Sequence, residues 1–311
     1  MLSLDPEAMT FAFHTPVLLA PVLSAAGAAR RIVDGTLGDG GHAAAFLERG
    51  ACVLGIDRDP SAMARARTRL GDTGMTYLPA TYSSDEAIAA VTQFSPDFIL
   101  LDLGVSSRQL DDAERGFSFR PGAPLDMRMG QNEPSAAERL QAASPEELEH
   151  WFRAYGDERR ARALAREIVR RRARAPFRIS DDLVNAIRAV LGPRAGPADF
   201  ARLFQAVRIA TNDELAGLEV ALPAFHDALT PGGALAVISY HSGEDRVVKH
   251  AFREWERGCV CPPRQPVCTC GRQPSGHAEP HKSIMPDEAE IAANPRARSA
   301  RLRVFRLNDA A

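Results

Sequence analysis

The sequence predicts an α/β protein: a Rossmann-like, mostly parallel sheet with a mainly helical domain inserted into it. Three observations carry this. Short apolar runs alternate with helix-forming stretches over the first hundred residues, and the alternation resumes after residue 230. A glycine cluster follows directly on the first apolar run. Between Arg108 and Pro197 no strand pattern is found, although helix signals are frequent.

The first dozen residues read as a loose tail. His14-Thr-Pro-Val-Leu-Leu19 leads into a short apolar helix ending near Gly27. His14 is either a functional residue or a helix-entry residue at the surface. Next comes Arg31-Ile-Val-Asp34, a strand, then Gly35-Thr-Leu-Gly38-Asp39-Gly40-Gly41-His42, a tight turn, then helix formers from Ala43. Glycines in such a turn allow positive φ and a close approach of the backbone to a ligand. The amides opening the following helix suit an anionic group. The second strand, Cys52–Asp57, ends in an acid, which in such folds commonly holds ribose hydroxyls. A nucleotide-like cofactor is therefore expected. Gly38-x-Gly40-x-x-Ala43 with Asp57 downstream also fits a dinucleotide fingerprint. Asp34, four residues ahead of Gly38, is instead typical of S-adenosylmethionine sites, and no later stretch offers a hydride-transfer site.

Pro60 starts the next helix, which runs to Leu70. Its arginines Arg65, Arg67 and Arg69 read as a solvated face. Met75–Leu78 is a third strand. Tyr82 follows it at the carboxyl edge, placed to pack on an adenine ring or to serve as an ordinary loop aromatic. Phe98-Ile-Leu-Leu-Asp102 is apolar enough for a central strand buried on both faces. An acid closing such a strand is costly unless bound or hydrogen-bonded, so Asp102 is a functional candidate. The following residues, Leu103-Gly-Val-Ser-Ser107, lack the Pro-Pro-aromatic sequence that many amino-group methyltransferases place here.

In the insertion, Ser144 with Glu147 forms a capping box, and helices are expected over Asp157–Arg172 and Ser180–Leu191. Ten arginines against three acids lie between Arg153 and Arg178. In an otherwise near-neutral chain this reads as a contact for a polyanion, RNA first, the plain alternative being a solvated helix face. Charge reversal at Arg170, Arg171 and Arg172 is expected to weaken RNA binding. Helices then span Phe200–Ala210 and Asp213–Leu229, and Pro231-Gly-Gly turns into a fifth buried strand, Ala234–Tyr240. His241 and Ser242 stand at its carboxyl end, candidates for shaping a base pocket. Cys259-x-Cys261 and Cys268-x-Cys270 fit a tetrahedral zinc site or four reduced thiols on a loop, and the sequence leaves both open. No metal ligand is assigned. The tail, Asn294–Leu307, alternates apolar and basic residues, as a half-buried edge strand with one cationic face would, that face being open to phosphate or simply solvated. The expected division is thus 1–107 and 198–311 for the sheet domain and 108–197 for the insertion.

The chain has 311 residues, a formal net charge of −2 and five cysteines, four of them within Cys259–Cys270. That is a local site and not a disulfide framework. There is no run of eighteen apolar residues, and Pro16 and Pro21 interrupt the apolar stretch near the start, so neither a membrane span nor a signal peptide is expected. The cytoplasm is the expected compartment. Oligomeric state is open, with a homodimer as one option.

The chain resembles the bacterial small-subunit ribosomal RNA methyltransferase H family. The matching pieces are His14–Leu19, Asp34–His42, Asp57-Arg-Asp-Pro60, Leu101–Asp111, Glu114-Arg-Gly-Phe-Ser-Phe119, Pro124-Leu-Asp-Met-Arg-Met129, Phe204–Ile209, Ser239–Ser242 with Glu244-Asp-Arg246, and Asn294–Ser299, nearly the whole chain in order. Gly243 and Gly122-Ala123 depart from the usual pattern, which has Leu and Asp-Gly there. The resemblance implies a class I S-adenosylmethionine-dependent methyltransferase fold with a helical insertion. It implies S-adenosyl-L-methionine as cofactor, held at Gly40, Gly41, His42, Asp57, Tyr82, Asp102 and Gln109. The implied partner is 16S rRNA in the small ribosomal subunit, and the implied reaction is methylation of N4 of a cytidine in the decoding region. Asp102, Ser107 and His241 are the catalytic candidates. From the residues alone, a nicotinamide-dependent dehydrogenase, a non-catalytic RNA-binding module and a DNA amino-methyltransferase remain as rivals.

Overall fold

The computed structural model describes residues 16–131, 133–262 and 265–310. His14 lies outside them, so the expectation for it has no structural counterpart. The sheet elements in the first part of the chain are β1 (Arg31–Asp34), β2 (Cys52–Ile56), β3 (Met75–Leu78) and β4 (Phe98–Asp102). Around them lie α1 (Leu19–Ala26), α2 (Gly41–Glu48), α3 (Pro60–Leu70) and α4 (Asp85–Phe94). The insertion holds α5 (Ser107–Asp111), α6 (Ala136–Ala142), α7 (Pro145–His150), α8 (Ala161–Arg172) and α9 (Ser180–Leu191). Then follow α10 (Pro197–Asn212), α11 (Glu214–Ala228), β5 (Ala234–Ser239), α12 (Ser242–Glu256), β6 (Gly276–Ala278), α13 (Glu288–Ala293) and β7 (Arg301–Leu307).

The strands form one seven-stranded sheet in the order β3-β2-β1-β4-β5-β7-β6. The first five are parallel, and β7 runs antiparallel to both β5 and β6. The chain leaves β1 toward β2 on one side and returns to β4 on the other. Strand order therefore reverses beside β1, the place where a crevice opens at the carboxyl ends of the strands.

Successive residues of each strand face opposite sides. Ile32, Val53, Leu100 and Ala236 meet Val22, Phe46 and Ala66 of α1, α2 and α3 on one face. Val33, Leu54, Ile99 and Leu235 meet Val91, Phe225 and Phe252 of α4, α11 and α12 on the other. At fully buried Leu100 and Leu101, neighbours in sequence belong to different cores. That is why β4 reads as an unbroken apolar run.

The insertion has its own core, built on Leu140, Phe152, Leu164, Ile168, Leu183 and Ile187. The capping box of Ser144 and Glu147 starts α7 as expected. The expected edge at residue 197 coincides with the start of α10. That helix, however, turns Phe200, Leu203, Phe204 and Val207 into the insertion's core. Packing thus carries the helical unit to about the end of α10.

Two expectations need correction. The tail strand β7 is not an edge, because β6 pairs outside it over Gly276–Ala278. Two of its three arginines are engaged within the chain. Arg303 Nε donates to Asp245 Oδ1 at 2.7 Å, and Arg306 Nε to Glu279 Oε2 at 3.0 Å. The second concerns α8. Arg172 donates to the carbonyls of Leu140 and Ala143 at 2.6 Å, closing the open end of α6. Arg170 and Arg171 share Glu167, whose carboxyl they hold down at about 2. The triple site expected to face RNA is therefore partly internal. Within the Arg153–Arg178 run, the exposed arginines without an ion pair among the described residues are Arg159, Arg160, Arg162, Arg166, Arg174 and Arg178.

Candidate active site

The carboxyl ends of β1, β2, β4 and β5 border a crevice of about 490 Å³, a volume typical of small-molecule sites. The glycine turn forms its floor. Gly38 and Gly40 have φ of 53° and 75°. A Cβ on Gly41 would stand 2.7 Å from the Pro16 ring, and one on Gly35 would stand 2.6 Å from Leu101. The turn is thus threaded between packed side chains where only glycine fits.

His42, second residue of α2, is 5% exposed, and neither ring nitrogen has a hydrogen-bond partner among the described residues. Its Nε2 lies 3.6 Å from Asp102 Oδ2. Buried polar atoms are rarely left unpaired, and this ring stands beside the open first turn of α2.

Asp57 follows β2. Its two oxygens accept from the amides of Gly38 (2.7 Å) and Asp59 (2.8 Å), which fixes the carboxylate against the turn and leaves further lone pairs for a ligand. Burial raises its pKa. Asp102 closes β4 and is held from three sides. Its amide donates to Thr36 Oγ1 at 2.6 Å, the Tyr240 hydroxyl donates to Oδ1 at 2.9 Å, and His42 faces Oδ2. Tyr240 is the first residue after β5, and burial together with Asp102 pushes its phenol well above the ordinary value.

Tyr82 lines the wall beside Ala80 and Thr81, and burial likewise raises its phenol pKa. Gln109 lines the crevice too, but its amide is engaged at both ends. Its Oε1 accepts from the Ser106 amide, and its Nε2 donates to Asp59 Oδ2 at 3.2 Å. Ser107 is the first residue of α5, and only its backbone belongs to the described structure. His241 does not line the crevice. Its Nδ1 accepts from the amides of Gly243 and Glu244, capping α12, and Nε2 sits 3.1 Å from Glu244 Oε1. The structure thus brings Gly41, His42, Asp57, Tyr82, Asp102 and Gln109 to one crevice, with Gly40 in the turn beneath it, and sets His241 one layer behind.

Several contributors were not singled out from the sequence. Tyr240 and Thr36 hold Asp102. Asp59, 3% exposed, accepts from Gln109 and from Arg115 Nη1 at 3.0 Å, tying the insertion to the turn after β2. Asp39 pairs with Arg65 at 2.8 Å and Arg108 at 2.7 Å and does the same from the glycine turn. Arg208 forms a two-pronged pair with Glu214 in the crevice wall. The signal for Tyr240 was its place at the carboxyl end of a buried strand, the rule already used for Asp57 and Asp102.

Asp34 is 2% exposed, and burial raises its carboxyl from 3.8 to about 7, against the opposing pull of His42 and the Thr36 amide. Folding therefore favours the protonated acid. Stability from this group is complete below the unfolded pKa and is lost as pH rises to about 7. Urea unfolding of the protein and of Asp34→Asn across this range should show the variant gaining relative stability up to about pH 7 and levelling off above it. A pH-independent difference would remove Asp34 from this account.

A parallel sheet of this order closed by an antiparallel β7, with acids ending β1 and β4 and a third just past β2 around a glycine turn, defines the class I S-adenosylmethionine-dependent methyltransferase fold. The profile of the MraW methylase family matches residues 11–308. The chain is 57% identical over 306 residues to the ribosomal RNA small subunit methyltransferase H of Gemmatimonas aurantiaca, covering 97% of either protein. It is 47% identical to the protein of the same name from Heliobacterium modesticaldum, covering 93% of this chain and 97% of that one. For the Rubrobacter xylanophilus protein the identity is 46%, with 95% and 96% covered. The chain belongs to the MraW methylase family. Among the described residues, no helix is long and apolar enough to cross a membrane.

Proposed function

We propose that this protein methylates N4 of a cytidine in the decoding region of 16S rRNA, with S-adenosyl-L-methionine as donor. Family membership and the names of the relatives support the ribosomal RNA assignment. One observation carries the chemistry: Asp102, fixed by Thr36 and Tyr240, stands in the crevice facing a buried histidine that has no hydrogen bond among the described residues.

The residues present fit the cofactor. Gly41 and His42 line the crevice above Gly40, and His42 with the first amides of α2 suits a carboxylate. Asp57 is placed for ribose hydroxyls and Tyr82 for the adenine face. S-adenosylmethionine supplies a methyl group activated by the positive charge on its sulfur. The protein's own task is to position a weak nucleophile, since the lone pair of the cytosine amino group is delocalised into the ring. Asp102 acts as acceptor for an N4 proton and favours rehybridisation of that nitrogen, with the Leu103–Ser107 main chain alongside. His241 supports the site through α12, holding Glu244 against the Tyr240 amide. We divide the chain into a cofactor domain and a helical unit, with α10 shared at their boundary.

RNA is met by the exposed arginines of the insertion. Arg162 and Arg166 stand one helical turn apart on α8, and Arg159 lies in the turn that leads into it. The experiment is methyl transfer from labelled S-adenosylmethionine to small subunits that lack the modification, followed by nucleoside analysis. Label is expected in N4-methylcytidine. Label in another nucleoside, or none on subunits and free 16S rRNA, overturns the substrate assignment. In the same assay Arg162→Glu with Arg166→Glu should raise KM for RNA and flatten its salt dependence by about two counterions, with cofactor affinity unchanged. An unchanged salt slope would place the RNA elsewhere.

A further inference from the structure

The segment joining α12 to β6, residues 257–275, has no regular element among its described residues. It also has little apolar core, Val260 and Val267 being 40% and 71% exposed. Yet four side chains converge within it. Cys259 Sγ lies 3.5 Å from Cys268 Sγ and 3.8 Å from Cys270 Sγ. Cys268 Sγ lies 3.5 Å from Cys270 Sγ and 4.0 Å from Cys261 Sγ. All four sulfurs fall within 4.8 Å of one another. Burial does not explain this convergence, since three of the four cysteines are exposed.

A metal ion explains it. Four sulfurs at about 2.3 Å from a tetrahedral centre stand about 3.8 Å apart, the spacing seen here. A disulfide would need two of them at about 2.0 Å. The backbone is arranged for thiolates as well. The amides of Val260, Cys261 and Thr269 each point at a sulfur at 3.4 Å, on Cys270, Cys259 and Cys261 respectively. N–H groups aimed at ligand sulfurs disperse the negative charge of a metal–thiolate centre.

We propose that Cys259, Cys261, Cys268 and Cys270 bind one zinc ion as a structural site that closes the connection between α12 and β6. Four thiols release their protons to solvent as they coordinate. No position is left open for water, so the ion holds the loop and takes no part in chemistry. The fold is consistent with this. α12 begins at the crevice and runs fifteen residues, so its far end is about 22 Å away. At that end Arg272 donates to Glu254 Oε1 at 2.8 Å and the Ser275 amide to the Trp255 carbonyl at 3.0 Å. These contacts seat the loop's exit on α12 and start β6 beside β7.

The test uses the full chain, purified under reducing conditions without chelator, and elemental analysis. About one zinc per chain is expected. Cys261→Ser with Cys270→Ser should lower the zinc content at least about tenfold, whereas Cys52→Ser should leave it unchanged. Metal lost in purification or misfolding of the double variant is controlled by titrating the reduced wild-type protein with cobalt(II). The intense visible absorption of tetrahedral thiolate-bound cobalt should appear and vanish on adding zinc. Less than about a tenth of an equivalent of zinc together with no such absorption overturns the proposal. So does the finding of disulfides among these four cysteines in protein alkylated directly from cells.

Discussion

Replacing Asp102 with asparagine is expected to lower methyl transfer by about two to four orders of magnitude, the usual worth of a positioned proton acceptor. The substitution is nearly isosteric, which makes the expectation sharp. The asparagine carbonyl still accepts from the Tyr240 hydroxyl, now 2.9 Å from Oδ1, and the main-chain bond to Thr36 is untouched. What changes is the charge and the oxygen facing His42, replaced by an amide N–H2. The two roles open to Asp102 then separate by measurement. Cofactor affinity from calorimetry reports its part in binding the donor, and turnover at saturating cofactor reports its part in handling the N4 proton. A fall in turnover with affinity preserved assigns the acceptor role. A loss of affinity alone makes Asp102 a cofactor ligand. Full turnover with unchanged affinity discards both. Tyr240→Phe provides the graded control. It removes one hydrogen bond to Oδ1 and leaves the charge, so its effect should be smaller, in line with about 1.5–3 kcal/mol for a hydrogen bond to a charged group.

Asp102 was legible in the sequence for a reason that extends to Asp57 and the glycine turn. A parallel strand announces itself by a continuous apolar run, and its last residue lies by topology on the crevice edge. The five parallel strands, the turn and the helical insertion could all be placed in this way. Elements that lack such a run were harder. α4 buries only Ala87 and Val91, and β6 is three residues long, too short to show any periodicity. Missing β6 made β7 look like an edge and its arginines look available.

The partners of functional side chains were out of reach for a different reason. Periodicity says which residues share a face and is silent on which loops meet. Thr36 and Asp102 are 66 positions apart, Tyr240 and Asp102 are 138, and Arg296 with Asp111 are 185. The reading of Arg170–Arg172 as a phosphate site met its limit on the same point, since the side chains are partly engaged within the chain. Counting charge could not reveal that Arg172 closes the end of α6 or that Glu167 holds Arg170 and Arg171.

Two sequence pieces on the insertion, Glu114–Phe119 and Pro124–Met129, show how such a pairing works once both are in view, and they set the second expected result. Gly116 has φ of +69° and sits where these loops cross. A Cβ there would stand 2.2 Å from the Pro124 carbonyl oxygen and 2.8 Å from the Asp126 nitrogen. Both are backbone atoms and cannot swing aside. The adjoining amide of Met127 donates to the Arg115 carbonyl at 3.0 Å, so the clash falls on a hydrogen-bonded crossing. Gly116→Ala should cost about 1–2 kcal/mol for the left-handed backbone and about 1–3 kcal/mol for the overpacking. The damage should travel. Arg115 pairs with Asp59 beside the cofactor crevice, and the Asn212 side chain takes the Met129 amide at 2.9 Å and gives to the Met127 carbonyl at 2.8 Å. Displacing the crossing therefore loosens the joint between the insertion and the cofactor domain. Urea unfolding should register the loss, and amide exchange should localise it to 114–129 and the end of α10, with β1, β2 and β4 still protected. Exchange that rises evenly through the sheet would show that the crossing is part of the main core and not a joint. Full stability would mean that the loops pass each other with more room than 2.2 Å allows.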